Sequence, residues 1–336
     1  MSRFPLPYAI HEYRFWLLAA ALLLVVVALV LPRVTLTRKA YDVMAFVDVT
    51  ASMNARDGVL NGQPVSRLDF VKDRLEGLIA ELPCQSKLGL GIFTARRVFV
   101  LFEPIEVCEN FSSLDSAIDA LDWRMGWEGD SYVALGVYDA LAVAKTFDDA
   151  VLFFTDGHEA PPLPWTGLPP FEGKPGEVPG LIVGVGGKTL VPLLKYDDSG
   201  REVGNLGPYD VLQENRFGPP PPDASSRPGW HPRQAPFGDF PVDNNNHMSS
   251  VKEEHLEAIA AVTGLGYAHL GSTGALVKDL ERVVPGREVR VATDVRAYPA
   301  GLALLLLVIL YGVLPLRERI ARRRPHSKPT LNEVYP

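Results

Sequence analysis

Two long apolar runs constrain this chain more than anything else in its 336 residues. Phe15–Leu31 (FWLLAAALLLVVVALVL) carries no charge for 17 residues, and Pro299–Leu316 (PAGLALLLLVILYGVLPL) carries none for 18. Both reach the lower end of membrane-spanning length, about 17 to 25 residues. A cleaved export signal competes for the first run, because Arg3 and Arg14 precede it, but the exit VALVLPRV is too bulky for a small-residue cleavage site. The second run closes on RERIARRRPHSK. Its cluster of Arg317, Arg319, Arg322, Arg323 and Arg324 places the C-terminus in the cytoplasm. Two spans, at residues 15–32 and 299–316, then bring residues 1–14 to the same side as the basic tail 317–336, and residues 33–298 lie outside the cytoplasm.

The net charge of −7 already includes that basic tail, so the exported part is more acidic still and nucleic acid is a poor partner. Only two cysteines are present, Cys84 and Cys108. In an oxidising compartment they read as one disulfide, and in a reducing one as two buried thiols; the topology favours the disulfide.

Between the spans, short apolar runs alternate with helical patterns, which predicts a doubly wound α/β domain with a mostly parallel sheet. Strands are expected at 42–47, 88–93, 98–102, 150–154, 181–186 and 266–270. The stretch SRLDFVKDRLEGLIAEL puts Leu68, Val71, Leu75, Leu78, Ile79 and Leu82 on one helical stripe. FSSLDSAIDAL repeats the pattern, with Ser112 or Ser113 expected as its N-cap. DSYVALGVYDALAVAK and KEEHLEAIAAVTG supply two more helices. Residues 160–179 hold seven prolines, and 187–250 hold ten together with GPPPPD and DNNNH. Both stretches read as surface loops or inserts, and each follows a strand, so each leaves the sheet at its carboxyl edge.

That edge is where open parallel sheets bind ligands. The first strand runs YDVMAFV and then turns abruptly polar: Asp48, Thr50 and Ser52 stand just beyond it. Asp156, in VLFFTDG, stands just beyond another strand, and Ser131, in EGDSYVALGVYDAL, opens a helix. Each residue also has an ordinary structural reading. Thr50, Ser52 or Ser131 would cap a turn or helix, and Asp156-Gly157 would be a turn. Together they make an oxygen-only donor set suited to a hard cation, Mg²⁺ first, with Ca²⁺ or Mn²⁺ as alternatives.

These residues resemble the von Willebrand factor A (VWA) family over about residues 40–285. FVDVTASM stands where the family has a strand followed by Asp-x-Ser-x-Ser-Met, the loop of its metal-ion-dependent adhesion site. GDSYVALGVYDAL, FFTDG, LIVGVGG and LEAIAAVTGLGYAHL follow in family order. Thr50 replaces the first Ser of that loop, and Ser131 stands where the family usually has Thr; both keep a hydroxyl. The resemblance implies that Thr50, Ser52 and Ser131 contact the ion and that Asp48 and Asp156 act largely through bound water. It also implies that a partner's carboxylate completes the coordination.

With a span on either side, the layout is similar to bacterial inner-membrane proteins whose soluble domain faces the periplasm. These are the VWA proteins of methanol-oxidation gene clusters (MxaL-like) and the Bat-type aerotolerance proteins, and GGKTLVPLLKYDDSGREVG is similar to both. The first group implies a maturation factor for methanol dehydrogenase, and either group allows assembly with other VWA proteins. Binding, not catalysis, is the expected activity. The enzyme alternative, an aspartyl-phosphate phosphotransferase using Asp48, lacks the further Asp that such a loop needs and the acidic pair after its second turn. A hydrolase built on His158 and Ser52 lacks a glycine elbow.

Overall fold

The computed structural model describes residues 13–30, 34–126, 129–163, 167–208, 210–211, 223, 226, 245 and 247–316. The basic tail and most of the second proline-rich stretch lie outside the described residues. The chain divides into two units, one of residues 38–289 and one of residues 1–37 with 290–336.

The second unit holds two apolar helices, Tyr13–Val30 and Ala297–Leu316, which pack against one another. Both are long and apolar enough to cross a membrane, and only 6% and 11% of their residues are buried, unlike a core helix of the same composition. Each starts two residues before the expected position. The later helix is regular over Ala297–Val308 and then widens into one π-helical stretch, Ile309–Val313. Val34–Ala40 and Arg287–Thr293 pair as a two-stranded ribbon.

The larger unit is built on one six-stranded sheet. In chain order its strands are β1 (Asp42–Asp48), β2 (Lys87–Thr94), β3 (Arg97–Glu106), β4 (Ala150–Thr155), β5 (Gly180–Gly184) and β6 (Gly266–His269). They lie side by side as β6-β5-β4-β1-β2-β3. All six expected strands are present. One departs from the parallel expectation: β3 runs antiparallel to β2. Only Ala95 and Arg96 separate the two strands, and a parallel crossover needs a dozen or more residues. Ala95 makes the reversal with a positive φ of 57°, a left-handed conformation that a sequence reader would have looked for at glycine.

Among the described residues five helices cover the sheet: α1 (Arg67–Glu81), α2 (Phe111–Asp119), α3 (Val133–Phe147), α4 (Glu253–Thr263) and α5 (Thr273–Val283). Alternation along β1 decides the two layers, because successive side chains of a strand point to opposite faces. Val43, Ala45 and Val47 join Val71, Leu75 and Leu78 of α1, Leu114 and Ile118 of α2 and Leu276 and Leu280 of α5. Met44 and Phe46 join Val133, Val137 and Ala140 of α3 and Leu256 and Ile259 of α4. Phe46, Phe153 and Phe154 are fully buried. Burial of side chains of this size stabilises by about 1.5–3 kcal/mol each. This is a doubly wound, mostly parallel α/β sheet with helices on both faces.

Local signals set the helix ends. Ser66 caps α1, its Oγ accepting from the Asp69 N–H at 3.0 Å. Gly264 closes α4 at φ 78°. The cap of α2 is Asn110, two residues before Ser112, and its side chain does not bond the helix N–H groups. Cys84 and Cys108 form the expected disulfide. It joins the residues just outside the Lys87–Glu106 pair that closes the open end of the β2–β3 hairpin.

The register brings three strand ends together. Asp48 of β1 lies opposite Phe93 of β2, and Val47 lies opposite Phe154 of β4. Both proline-rich stretches leave from this edge, after β4 and after β5. The root of the second is a two-stranded pairing of Val191–Pro192 with Met248–Ser249, and inside it Leu194–Tyr196 pairs with Glu202–Asn205.

Candidate metal centre

Asp48 is fully buried at the end of β1, and both of its oxygens are engaged. Oδ1 accepts from the Thr50 N–H at 2.9 Å and the Thr50 hydroxyl at 2.7 Å, and Oδ2 accepts from the Thr155 hydroxyl at 2.6 Å. The short-range pair is an Asx-type turn, which Asp favours because its side chain reaches its own backbone two residues on. Thr50 occupies the cap position of the 3₁₀ turn Ala51–Asn54, but its hydroxyl does not bond that turn's N–H groups. It faces Asp48 and, at 3.3 Å, the Ser52 hydroxyl.

Asp156 enters from the end of β4 and is also fully buried. Its Oδ1 accepts from the Ser52 hydroxyl at 3.1 Å and the His158 N–H at 3.0 Å. The chain turns immediately after it at Gly157, φ 77°, where an added Cβ would lie 2.9 Å from Leu256 Cγ; both the conformation and the space require glycine. Thr155 accepts from the Gly157 N–H at 3.0 Å while donating to Asp48, so one hydroxyl ties the two acidic loops together.

Ser131 is placed by main chain. Its N–H donates to the Ala160 carbonyl at 2.6 Å and its carbonyl accepts from the Ala160 N–H at 2.8 Å, while the Tyr132 N–H donates to Ala95 O at 2.7 Å. Glu159 completes the clamp, accepting from the Val133 and Ala134 N–H groups at 3.0 and 3.1 Å and so capping α3 from a neighbouring loop. With α3 capped in this way, the Ser131 hydroxyl is not its cap. The side chain is 2% exposed and its Oγ has no hydrogen-bond partner.

Thr50, Ser52 and Ser131 line one pocket of about 370 Å³. Its walls are His158 and Glu159 from the turn after β4, Ala160 at the start of the first proline-rich stretch, and Leu193, Leu206, Asp210 and Val211 from the second. The structure thus brings the three hydroxyls to one pocket, and hydrogen bonds join Asp48 to Thr50 and Asp156 to Ser52 at its floor. Asp48 is pushed up to about 7, first by burial and then by the neighbouring Asp156 charge, against the lowering effect of its Thr155 and Thr50 bonds. Two buried carboxylates beside an unpartnered hydroxyl are what a hard cation would relieve, so the donor set fits such an ion. Thr50, Ser52 and Ser131 would be the residues to hold it, with Asp48 and Asp156 behind them.

Sequence reasoning missed a third charged group. Arg67, the first residue of α1, is fully buried. Its Nη1 donates to Asp156 Oδ2 and to the Ser249 hydroxyl, and its Nε and Nη2 donate to the two oxygens of Asp57 at 2.8 and 2.7 Å. Ser249 in turn donates to Asp156 Oδ2 at 2.7 Å. Burial pulls the guanidinium down, but its bonds and charges with Asp57 and Asp156 outweigh that and hold it up. Asp57 is held below the usual carboxylate range, its burial outweighed by Arg67. Lys252 is held down, first by burial and with Arg67 acting the same way, while the Asp156 charge works against both.

No protein-family profile matches the chain, and no curated protein does. Among solved structures it is similar to an aerotolerance-related membrane protein from Bacteroides fragilis, at 14% identity over 72% of this chain and 98% of that one, TM-score 0.44. It is also similar to BatB from Bacteroides thetaiotaomicron, at 16% identity with the same coverage and TM-score 0.44. A von Willebrand factor type A protein from Catenulispora acidiphila matches at 10% identity over 74% of this chain and 43% of that one, TM-score 0.34.

Proposed function

We propose that this protein is a membrane-anchored docking module whose VWA domain holds one divalent cation and binds a protein partner through it. The observation that carries the reading is the buried, unpartnered Ser131 hydroxyl, which shares a pocket with the Thr50 and Ser52 hydroxyls over the Asp48 and Asp156 carboxylates. A bound cation would supply a coordination position for an acidic group from outside the chain. The residues around it do the rest: Thr155 and Thr50 orient Asp48, His158 N–H orients Asp156, and the two proline-rich stretches wall the opening.

Mg²⁺ is the cation proposed first, with Ca²⁺ or Mn²⁺ as alternatives, and the partner is a protein that presents a carboxylate. Catalysis is not part of this reading. Both Asp48 oxygens are taken by three donors, which supports a structural carboxylate over a phosphate acceptor. The Ser52 hydroxyl donates to Asp156, which supports neither a serine nucleophile nor a histidine base beside it. The proposed placement is a bacterial inner membrane, with both termini cytoplasmic and the domain in the periplasm, where it assists assembly or maturation of an exported protein. On the sequence resemblance to the methanol-oxidation group that client is methanol dehydrogenase. In the Bat-type alternative the setting is aerotolerance.

The test is co-purification from detergent-solubilised membranes. Wild-type chain, a Ser131→Ala variant and a form lacking residues 205–245 are compared with and without chelator. Partners recovered by wild type alone, and only without chelator, support the proposal. Equal recovery in all conditions overturns it and leaves a structural anchor.

A further inference from the structure

The second proline-rich stretch begins and ends at one ion pair, the buried Arg67 with Asp57. At its start, the Gly187 N–H donates to Asp57 Oδ2 at 2.9 Å, and at its end Ser249 meets Arg67 twice, through the hydroxyl at 2.8 Å and the carbonyl at 3.3 Å. The two ends also bond each other, Val251 N–H to Gly187 O at 2.9 Å. Gly186, at φ 101°, passes so close to the guanidinium that an added Cβ would lie 2.3 Å from Arg67 Nε. The same guanidinium grips Asp156 Oδ2, leaving Oδ1 to Ser52. Arg67 therefore touches, at once, the acidic floor of the cation pocket and both roots of the segment that walls it.

Without any ion the site still buries Asp48 and Asp156 side by side. A buried guanidinium in contact with one of them supplies positive charge where a divalent cation otherwise would, and a charge so placed and so little hydrated acts strongly. Asp57 opposes it from the outer side, sharing the guanidinium in a two-pronged pair.

We propose that Arg67 is a positioning residue that serves as an internal counter-cation. It keeps Asp156 and both roots of the 187–250 segment in place before the divalent ion arrives, and its charge, tuned by Asp57, limits how tightly the ion binds. This rests on the cation-site reading above and adds to it the control of affinity. A site so limited holds its ion weakly alone and depends on the partner's carboxylate for full affinity.

The charge account makes opposite predictions for two neighbours. Arg67→Met removes the counter-charge, so Mg²⁺ binds about tenfold tighter while the ion-free protein melts lower. Asp57→Asn leaves Arg67 with less compensation, so Mg²⁺ binds several-fold weaker. Arg67→Lys keeps the charge and stays near the wild-type affinity. A purely packing role for Arg67 would move Met and Lys together, and would weaken binding in the Asp57 and Arg67 variants alike.

The measurement is calorimetric titration of Mg²⁺ into the full-length, detergent-solubilised chain, with thermal melts in chelator and in Mg²⁺. Opposite shifts for Arg67→Met and Asp57→Asn, with Lys close to wild type, support the proposal. Shifts of the same sign, or none, overturn it while leaving the cation site intact. If Arg67→Met does not fold, the Asp57→Asn and Arg67→Lys titrations decide, and unchanged or tighter binding in Asp57→Asn refutes the charge account. Failure of the wild-type chain to bind Mg²⁺ overturns this proposal together with the cation site itself.

Discussion

Ser131→Ala separates a site built for an ion from a merely polar patch, because the two give opposite signs. The Ser131 hydroxyl is buried and unpartnered, and a group in that state costs about 1–3 kcal/mol of desolvation. Replacing it with a methyl leaves only a one-atom gap, so in chelator the variant should be more stable by about 1 kcal/mol, or roughly 2–4 °C for a domain of this size. On the proposed reading, the hydroxyl would become a ligand once the ion is present. Losing a contact to a charged partner removes about 1.5–3 kcal/mol, which is about a ten- to hundredfold loss of affinity. At Mg²⁺ a hundred times the wild-type Kd, the wild-type domain gains about 2.7 kcal/mol and the variant only about 0.4–1.4 kcal/mol. The melting order should therefore cross: variant above wild type in chelator, variant below it in Mg²⁺. Thermal melts of the detergent-solubilised chain, followed by near-UV circular dichroism, give the answer directly. A variant that melts lower in chelator and keeps the full Mg²⁺ increment would refute the reasoning.

Two other perturbations are predicted. Asp149 is pushed up to about 6, first by burial and then by Asp42, so its ionised form destabilises the fold. The penalty is absent below the unfolded value near 4, grows as pH rises and is complete above about 6. Asp149→Asn should thus gain about 1–2 kcal/mol at pH 7.5 and nothing at pH 4, as read from denaturant midpoints. Removing the Cys84–Cys108 cross-link, which spans 24 residues, should cost about 3 kcal/mol in the same assay, and the thiols should be protected from alkylation in intact cells if the domain faces the periplasm. A reporter fused after residue 150 that behaves as cytoplasmic would contradict that placement.

The parts of this fold that were legible from the chain are those where one residue type can serve only one purpose. Apolar runs of strand length marked all six strands, and the stripe from Leu68 to Leu82 marked α1. The pocket hydroxyls and carboxylates were legible because each stands within a few residues of a strand end or helix start. What escaped were features decided by distant partners. Arg67 follows the cap Ser66 and reads as an ordinary first-turn arginine; Asp57 is ten residues away, but its site carboxylate, Asp156, lies 89 residues away and its serine 182. Thr155 lies one residue beyond the expected strand 150–154, and its bond to Asp48, 107 residues away, has no local signature. The direction of β3 turned on Ala95, whose left-handed conformation a sequence assigns to glycine or asparagine first. Asn110 displaced Ser112 as the start of α2, a shift of the size that helix ends commonly show.

Ser131 owes its position to a main-chain clamp: two bonds with Ala160, one from Tyr132 to Ala95, and Glu159 on the first turn of α3. None of these bonds except the last involves a side chain. The oxygen offered to the pocket is thereby insulated from the identity of the residues that wall it. Leu193, Leu206 and Val211 could each change in size or polarity and reshape what the opening admits, while the hydroxyl stays where the peptide groups put it. On the proposed reading, recognition and chemistry would be separable in this domain: partner preference would diverge by substitution in the 187–250 segment without the proposed ion-holding oxygens being rebuilt.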